Sequence, residues 1–130
     1  MGSTGFWISE IIFYDKSGND TLKKCFVSFD KKWQPSQTFH KKFRTDKQIS
    51  YFMTERPFKK GFYFKKEIFY TYNAKGNILT ETEVECWQKT DCDSTFKTEY
   101  IYNSAGNADS TIYYIWKNNE WKEFKKKNGR

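Results

Sequence analysis

A self-similar period of 29 to 30 residues constrains this chain more than any other feature it carries. The stretch Tyr70-Thr-Tyr-Asn-Ala-Lys-Gly-Asn77 returns as Tyr100-Ile-Tyr-Asn-Ser-Ala-Gly-Asn107, and Phe13-Tyr-Asp-Lys-Ser-Gly-Asn19 is an earlier copy. Gly18 and Gly76 lie 58 residues apart, which leaves room for one degenerate copy between them. Phe43-Arg-Thr-Asp-Lys-Gln48 fills that register, with Lys47 in the glycine slot. A fixed period of this length marks an architecture that stacks one supersecondary unit. The units run approximately 4–32, 33–61, 62–91 and 92–120, with a partial fifth over 121–130, within a single domain.

Each unit reads as a β-hairpin. Aromatic residues make up 21% of the chain while alanine and leucine are scarce, a balance that favours strands over helices. In the repeated turn an Asx side chain bonds its own backbone, and glycine takes the left-handed position of a three-residue loop with a bulge. Tyr72 then lies opposite Ile78 and Tyr102 opposite Ala108. Lys47 meets a steric penalty at positive φ, which predicts a looser or differently built second turn. The turns at the other end include Trp116-Lys-Asn-Asn-Glu-Trp121, a type I′ candidate in which Trp116 faces Trp121 and Lys117 faces Glu120. Ser28 with Trp33, Pro57 with Phe62, and Cys86 with Cys92 occupy the same slot in the other units. Nine antiparallel strands in sequence order follow.

Strict alternation assigns the faces. One face collects Phe26, Phe39, Tyr51, Met53, Phe64, Tyr70, Tyr72, Val84, Tyr100, Tyr102, Ile112, Tyr114 and Trp116. The other collects Lys23, Arg56, Lys65, Glu67, Glu81, Glu83, Glu85, Lys97 and Glu99. A long apolar face needs cover, so the fold expected is an all-β antiparallel meander of about nine strands, curled into a barrel or folded over as a sheet. The charged outer face argues against a barrel in lipid. No apolar run approaches a membrane helix, and the N-terminus has neither the basic nor the apolar region of an export signal.

The net charge of +7 is unevenly distributed: residues 23–66 hold thirteen basic and three acidic side chains, and 67–113 hold three basic and eight acidic. A basic segment can mark an anionic partner, or it can keep an aromatic-rich sheet soluble. Phe58-Lys-Lys-Gly-Phe-Tyr-Phe-Lys-Lys66 interleaves cations and rings as single-strand nucleic-acid platforms do, although stacking requires exposed rings. His40 is the sole histidine, too little for a multi-histidine zinc site and without an evident orienting partner for base catalysis. Asp15-Lys-Ser-Gly-Asn-Asp20 has turn chemistry rather than the alternating oxygens of a calcium loop. Glu81, Glu83 and Glu85 form a stripe with no second acid at hydrolase separation. No phosphate loop, metal set or cofactor motif stands out, so no cofactor is expected.

Tyr-x-Tyr-Asn-x-x-Gly-Asn together with the Trp116–Trp121 hairpin resembles the aromatic hairpin repeats of exported bacterial proteins. The nearest likeness is to uncharacterised secreted domains of gut-commensal bacteria, and a more distant one is to the YD repeats of Rhs and teneurin-type proteins. That resemblance implies export and a cell-surface or envelope setting in a bacterium. It implies no catalytic residues.

The leading expectation is therefore a non-enzymatic exported or cell-surface domain that binds a glycan or protein partner through its outer face. Trp7, Phe52, Tyr63, Phe69, Trp87 and Tyr113 are the candidate ligand-binding rings, because flat aromatic surfaces among polar groups hold sugars or proteins, although isolated surface rings need no function. A nucleic-acid or polyanion binder using residues 23–66 is the alternative. Unpaired sheet edges also allow self-association.

The repeat register brings Cys86 opposite Cys92, and opposed residues of a non-hydrogen-bonded antiparallel pair have Cα atoms about 4.5 Å apart, near the lower end of the disulfide range. A bridge there points to an oxidising compartment, whereas three reduced thiols would fit a reducing one. Cys25 is left as the single free thiol. Alkylation followed by non-reducing mass spectrometry should label one cysteine of the oxidised, folded protein, and labelling of all three would remove the bridge. Its loss in Cys86→Ser should cost about 2 kcal/mol of stability, the modest loop-entropy value for so short a loop.

Overall fold

The computed structural model describes residues 7–29, 31–57, 63–87, 92 and 94–128. Among these residues nine strands follow in order: β1 (Trp7–Tyr14), β2 (Asp20–Phe29), β3 (Lys32–Phe43), β4 (Ile49–Pro57), β5 (Tyr63–Tyr72), β6 (Ile78–Cys86), β7 (Ser94–Tyr102), β8 (Ala108–Lys117) and β9 (Glu120–Asn128). They form one antiparallel sheet in which every neighbour in space is a neighbour in sequence. No helix among the described residues is long and apolar enough to cross a membrane.

The repeated turns are built by their Asx residues. Asp15 Oδ1 accepts the amides of Ser17 and Asn19 at 2.9 and 3.0 Å, and Asn73 Oδ1 accepts those of Lys75 and Asn77 at 3.0 and 2.9 Å. Asn103 does the same for Ala105 and Asn107. Gly18, Gly76 and Gly106 then take φ of 83° to 87°, which costs glycine little.

The second turn does not loosen as its lysine suggested. Lys47 sits at φ 66°, and both backbone bonds persist: the Arg44 amide donates to Gln48 O at 2.7 Å and the Lys47 amide to Arg44 O at 3.0 Å. Asp46 stands in for the missing Asx residue, accepting the Gln48 amide at 3.3 Å and pairing with Arg44 at 3.2 Å. Gln48 Nε2 also donates to Gly76 O at 2.7 Å, joining the second turn to the third. At the other end, Asn118 and Asn119 both take positive φ, as a type I′ turn requires. Trp116 opposes Trp121, and Ser28 opposes Trp33. Pro57 opposes Tyr63 rather than Phe62; residues 58–62 lie outside the described set.

A bulge after each repeated turn corrects the face assignment. The register slips at Phe13/Tyr14, Lys42/Phe43, Thr71/Tyr72 and Ile101/Tyr102, leaving Thr21, Ser50, Leu79 and Asp109 as the extra residues. One extra residue exchanges the two faces of everything that follows on that strand. Tyr70 therefore opposes Glu81, and Ile68 opposes Glu83, so the glutamate stripe shares the face of the repeated tyrosines. Tyr51, Met53, Val84, Ile112 and Tyr114 move to the opposite face with Lys42, Glu67 and Lys97.

With both faces mixed, no apolar face remains to be covered. Cys86 is the one buried hydrophobic residue among the described residues, and only Ser28 and Ser110 are buried with it. The closed barrel is not formed, since β1 contacts β2 and β9 contacts β8 but the two ends do not meet. Of the two forms expected, the folded-over sheet is the one that fits.

Lateral contacts replace the missing core. Lys23 lies over Phe39 (5.1 Å), Lys42 over Tyr51 (5.1 Å), Arg44 over Tyr72 (4.9 Å) and Arg56 over Phe64 (5.5 Å). Lys97 lies over both Tyr114 and Trp121, at 4.6 and 4.9 Å. Each such pair is worth about 0.5–1 kcal/mol at an exposed site. Tyrosine hydroxyls also tie repeat to repeat: Tyr72 donates to Ile49 O at 2.5 Å and Tyr102 to Ile78 O at 2.6 Å. Phe43, at the equivalent position, has no hydroxyl.

Two substitutions test this account by chemical denaturation. Lys47→Gly should raise stability by about 1 kcal/mol, because glycine relieves the left-handed penalty while the turn keeps its bonds. Tyr102→Phe should lower it by about 1 kcal/mol, the net value of one hydrogen bond. An unchanged midpoint in either variant would contradict the role given to that residue.

Candidate functional site

The bulge that moves Glu81 onto the tyrosine face places it in a concavity of the sheet. Tyr70 and Tyr72 stand two residues apart on β5, and Tyr100 and Tyr102 do so on β7, so each pair points the same way. Strand β6 runs between them and contributes Ile78 and Glu81. These side chains, with Gln48 and Ile49 at the rim, line a groove of about 690 Å³. That size lies within the roughly 300–1,000 Å³ range of small-molecule clefts, which are mainly apolar with a few convergent polar groups.

Three of the four groove tyrosines have a partner for the hydroxyl. Tyr72 and Tyr102 are pinned to backbone carbonyls of the preceding repeat. Burial first, then the Glu81 carboxylate and a hydrogen bond to it, push the Tyr100 hydroxyl up to about 12. Burial and Glu81 also raise Tyr70, and burial raises Tyr72 against the opposing pull of Arg44. Next to Glu81, Glu83 pairs with Lys66 at 2.5 Å. The result is a set of fixed ring faces around one acceptor carboxylate.

The six rings singled out from the sequence do not form one surface. Phe52 lies on the tyrosine face against Phe39 (6.3 Å between centroids), and Tyr113 lies on the same face against Phe124 (6.2 Å). Trp87 packs on Phe64 at 4.8 Å. Phe69 is on the opposite face against Tyr51 at 5.1 Å. Trp7 stands highly exposed on the edge strand β1. Tyr63 opposes Pro57 through its backbone, and its side chain is outside the described set. The groove tyrosines and Glu81 were missed because alternation placed the tyrosines inside and the glutamate outside. The recurrence of the tyrosines at the repeat period was the available signal.

Other candidates have ordinary structural surroundings. The His40 ring packs edge-on to Tyr51 at 5.8 Å. The Asp15 carboxylate is occupied by the Ser17 and Asn19 amides and by Asn19 Nδ2. No cluster of three or more metal-ligating side chains occurs among the described residues. A disulfide joins Cys86 to Cys92, with Cα atoms 4.0 Å apart, and Cys25 is a free thiol.

The raised Tyr100 hydroxyl gives a pH prediction. A group whose folded pKa is raised contributes stability that is complete below its unfolded value, near 10, and is lost as pH climbs through about 12. Denaturant midpoints measured between pH 8 and pH 12 should fall across that window, and the fall should be shallower in Tyr100→Phe. Tyr51, raised by burial and then by Glu67, adds to the loss with the same sign and keeps it from vanishing in the variant. Equal slopes in both proteins would remove Tyr100 from the account. Comparison of the chain with protein-family models, with curated proteins and with solved structures finds no match.

Proposed function

We propose that this chain is a non-enzymatic exported or cell-surface domain that holds a neutral glycan in the tyrosine groove. The arrangement of Tyr70, Tyr72, Tyr100 and Tyr102 around Glu81 carries the reading. A sugar ring presents apolar C–H faces and a rim of hydroxyl donors. Fixed aromatic faces suit the first, and a carboxylate that accepts but does not donate suits the second. Glu81, Glu83 and Glu85 on one face disfavour phosphate, sulfate or uronate ligands there. The Cys86–Cys92 bridge supports an oxidising, extracytoplasmic setting.

The basic segment supports a polyanion ligand less well. Lys23 and Arg56 lie over rings on the tyrosine face and Lys42 over a ring on the other, so this charge is divided between the faces. Lys41 and Lys65 are in ion pairs with Asp20 and Glu67.

Glycan arrays followed by calorimetry should find neutral oligosaccharide binding that weakens at least about tenfold in Tyr70→Ala and Tyr100→Ala, about 1.4 kcal/mol each. Glu81→Gln should weaken it while the fold is retained. Folded protein that ignores neutral glycans yet binds heparin or single-stranded nucleic acid, with a steep loss between low and physiological salt, would replace this reading with the polyanion one.

A further inference from the structure

The two edges of the sheet differ in kind. On β1, Trp7 is 70% exposed, Ile8 67% and Tyr14 63%, and Ile11, Ile12 and Phe13 are exposed as well. Glu10 is the strand's only charged residue. A long apolar edge with unpaired backbone groups is what solitary sheets avoid. The other edge is guarded: β9 reads Glu120-Trp-Lys-Glu-Phe-Lys-Lys-Lys-Asn128, with Lys122, Lys125, Lys126 and Lys127 along it.

We infer that β1 is an assembly edge that pairs antiparallel with β1 of a second copy, about a two-fold axis normal to the sheet and centred on Ile11. Strand parity selects the partner strand. Nine strands that alternate in direction leave β1 and β9 running the same way, so head-to-tail joining of copies whose tyrosine faces point the same way would demand a parallel pair in an antiparallel sheet. Two copies of β9 would bring their lysine rows together. Pairing β1 with itself meets neither obstacle, and the interface is isologous.

Charge selects the register. Directly opposed residues share a face, so in a two-fold pairing of this kind one residue must face its own copy. Centres at Glu10 and at Ile11 give the longest overlaps within Trp7–Tyr14. The Glu10 centre sets two carboxylates against each other, which destabilises a cross-strand pair. The Ile11 centre instead opposes Ile11 with Ile11, Ser9 with Phe13, Ile8 with Tyr14 and Glu10 with Ile12. An axis normal to the sheet keeps both tyrosine faces on the same side. If the glycan reading holds, the dimer then presents two grooves to one surface and gains avidity.

Multi-angle light scattering on the intact chain, at about 10–200 µM, should give twice the 15.7 kDa chain mass. Ile11→Lys, which places like charges across the axis, should halve that mass with an unchanged circular dichroism spectrum. A second measurement does not depend on how that variant folds. In a Cys25→Ser background, Ile11→Cys should cross-link to itself on mild oxidation, because self-opposed residues have Cα atoms about 4.5–5.5 Å apart. Ile8→Cys, opposite Tyr14, should not. A monomer throughout the concentration range, a dimer untouched by Ile11→Lys, or self-cross-linking through Ile8→Cys instead of Ile11→Cys would each overturn the proposal. None of these outcomes depends on whether a glycan binds.

Discussion

A sheet with water on both faces has to find its cohesion within each layer of side chains. That constraint explains why aromatic residues and lysines interleave throughout this chain. Each ring is large enough to cover its cross-strand neighbour, and each cation extends its aliphatic stem over a ring while its charged end stays in water. Lys97 over Tyr114 and Trp121 shows the pattern in one side chain. Individually these contacts are small. Their regular recurrence makes stability close to a sum of repeat and nearest-neighbour terms, as in other stacked-repeat proteins.

The bulges turn that scaffold into something with a site. An uninterrupted alternation would put the repeated tyrosines on one side and Glu81, Glu83 and Glu85 on the other. Leu79, the extra residue after the third turn, breaks the alternation and lets Glu81 rise between Tyr70 and Tyr100. Acceptor and rings then meet in one groove. The same step carries Tyr51 to the other face, where its hydroxyl donates to Glu67 at 2.6 Å. Burial raises the Glu67 carboxyl, but this hydrogen bond and that of Lys65 outweigh it and hold the group below its usual range.

The second repeat shows how far context overrides local preference. Arg44 and Lys47 replace both turn-forming residues of the motif, yet the backbone follows the same path. Strands β3 and β4 are held on their outer sides by β2 and β5, and the lateral bond from Gln48 to Gly76 holds the turn against its neighbour. The tertiary setting offsets the strain of one lysine at positive φ.

Strand number, strand order, the turn types and the facing of Trp116 with Trp121 were legible in the residues, because each depends on atoms only a few positions apart. Asx-Gly turns and an Asn-Asn pair prescribe local backbone angles wherever they occur. Facing was not legible. It depends on whether one residue is left over after each turn, and a bulge is set by how two strands settle into register rather than by one residue type: Thr21 and Ser50 carry hydroxyls, Leu79 is apolar and Asp109 is acidic. Whether the sheet closes was likewise decided only in three dimensions. With cations and rings on both faces, burying either one would strip water from charges, so the open edge costs less than closure.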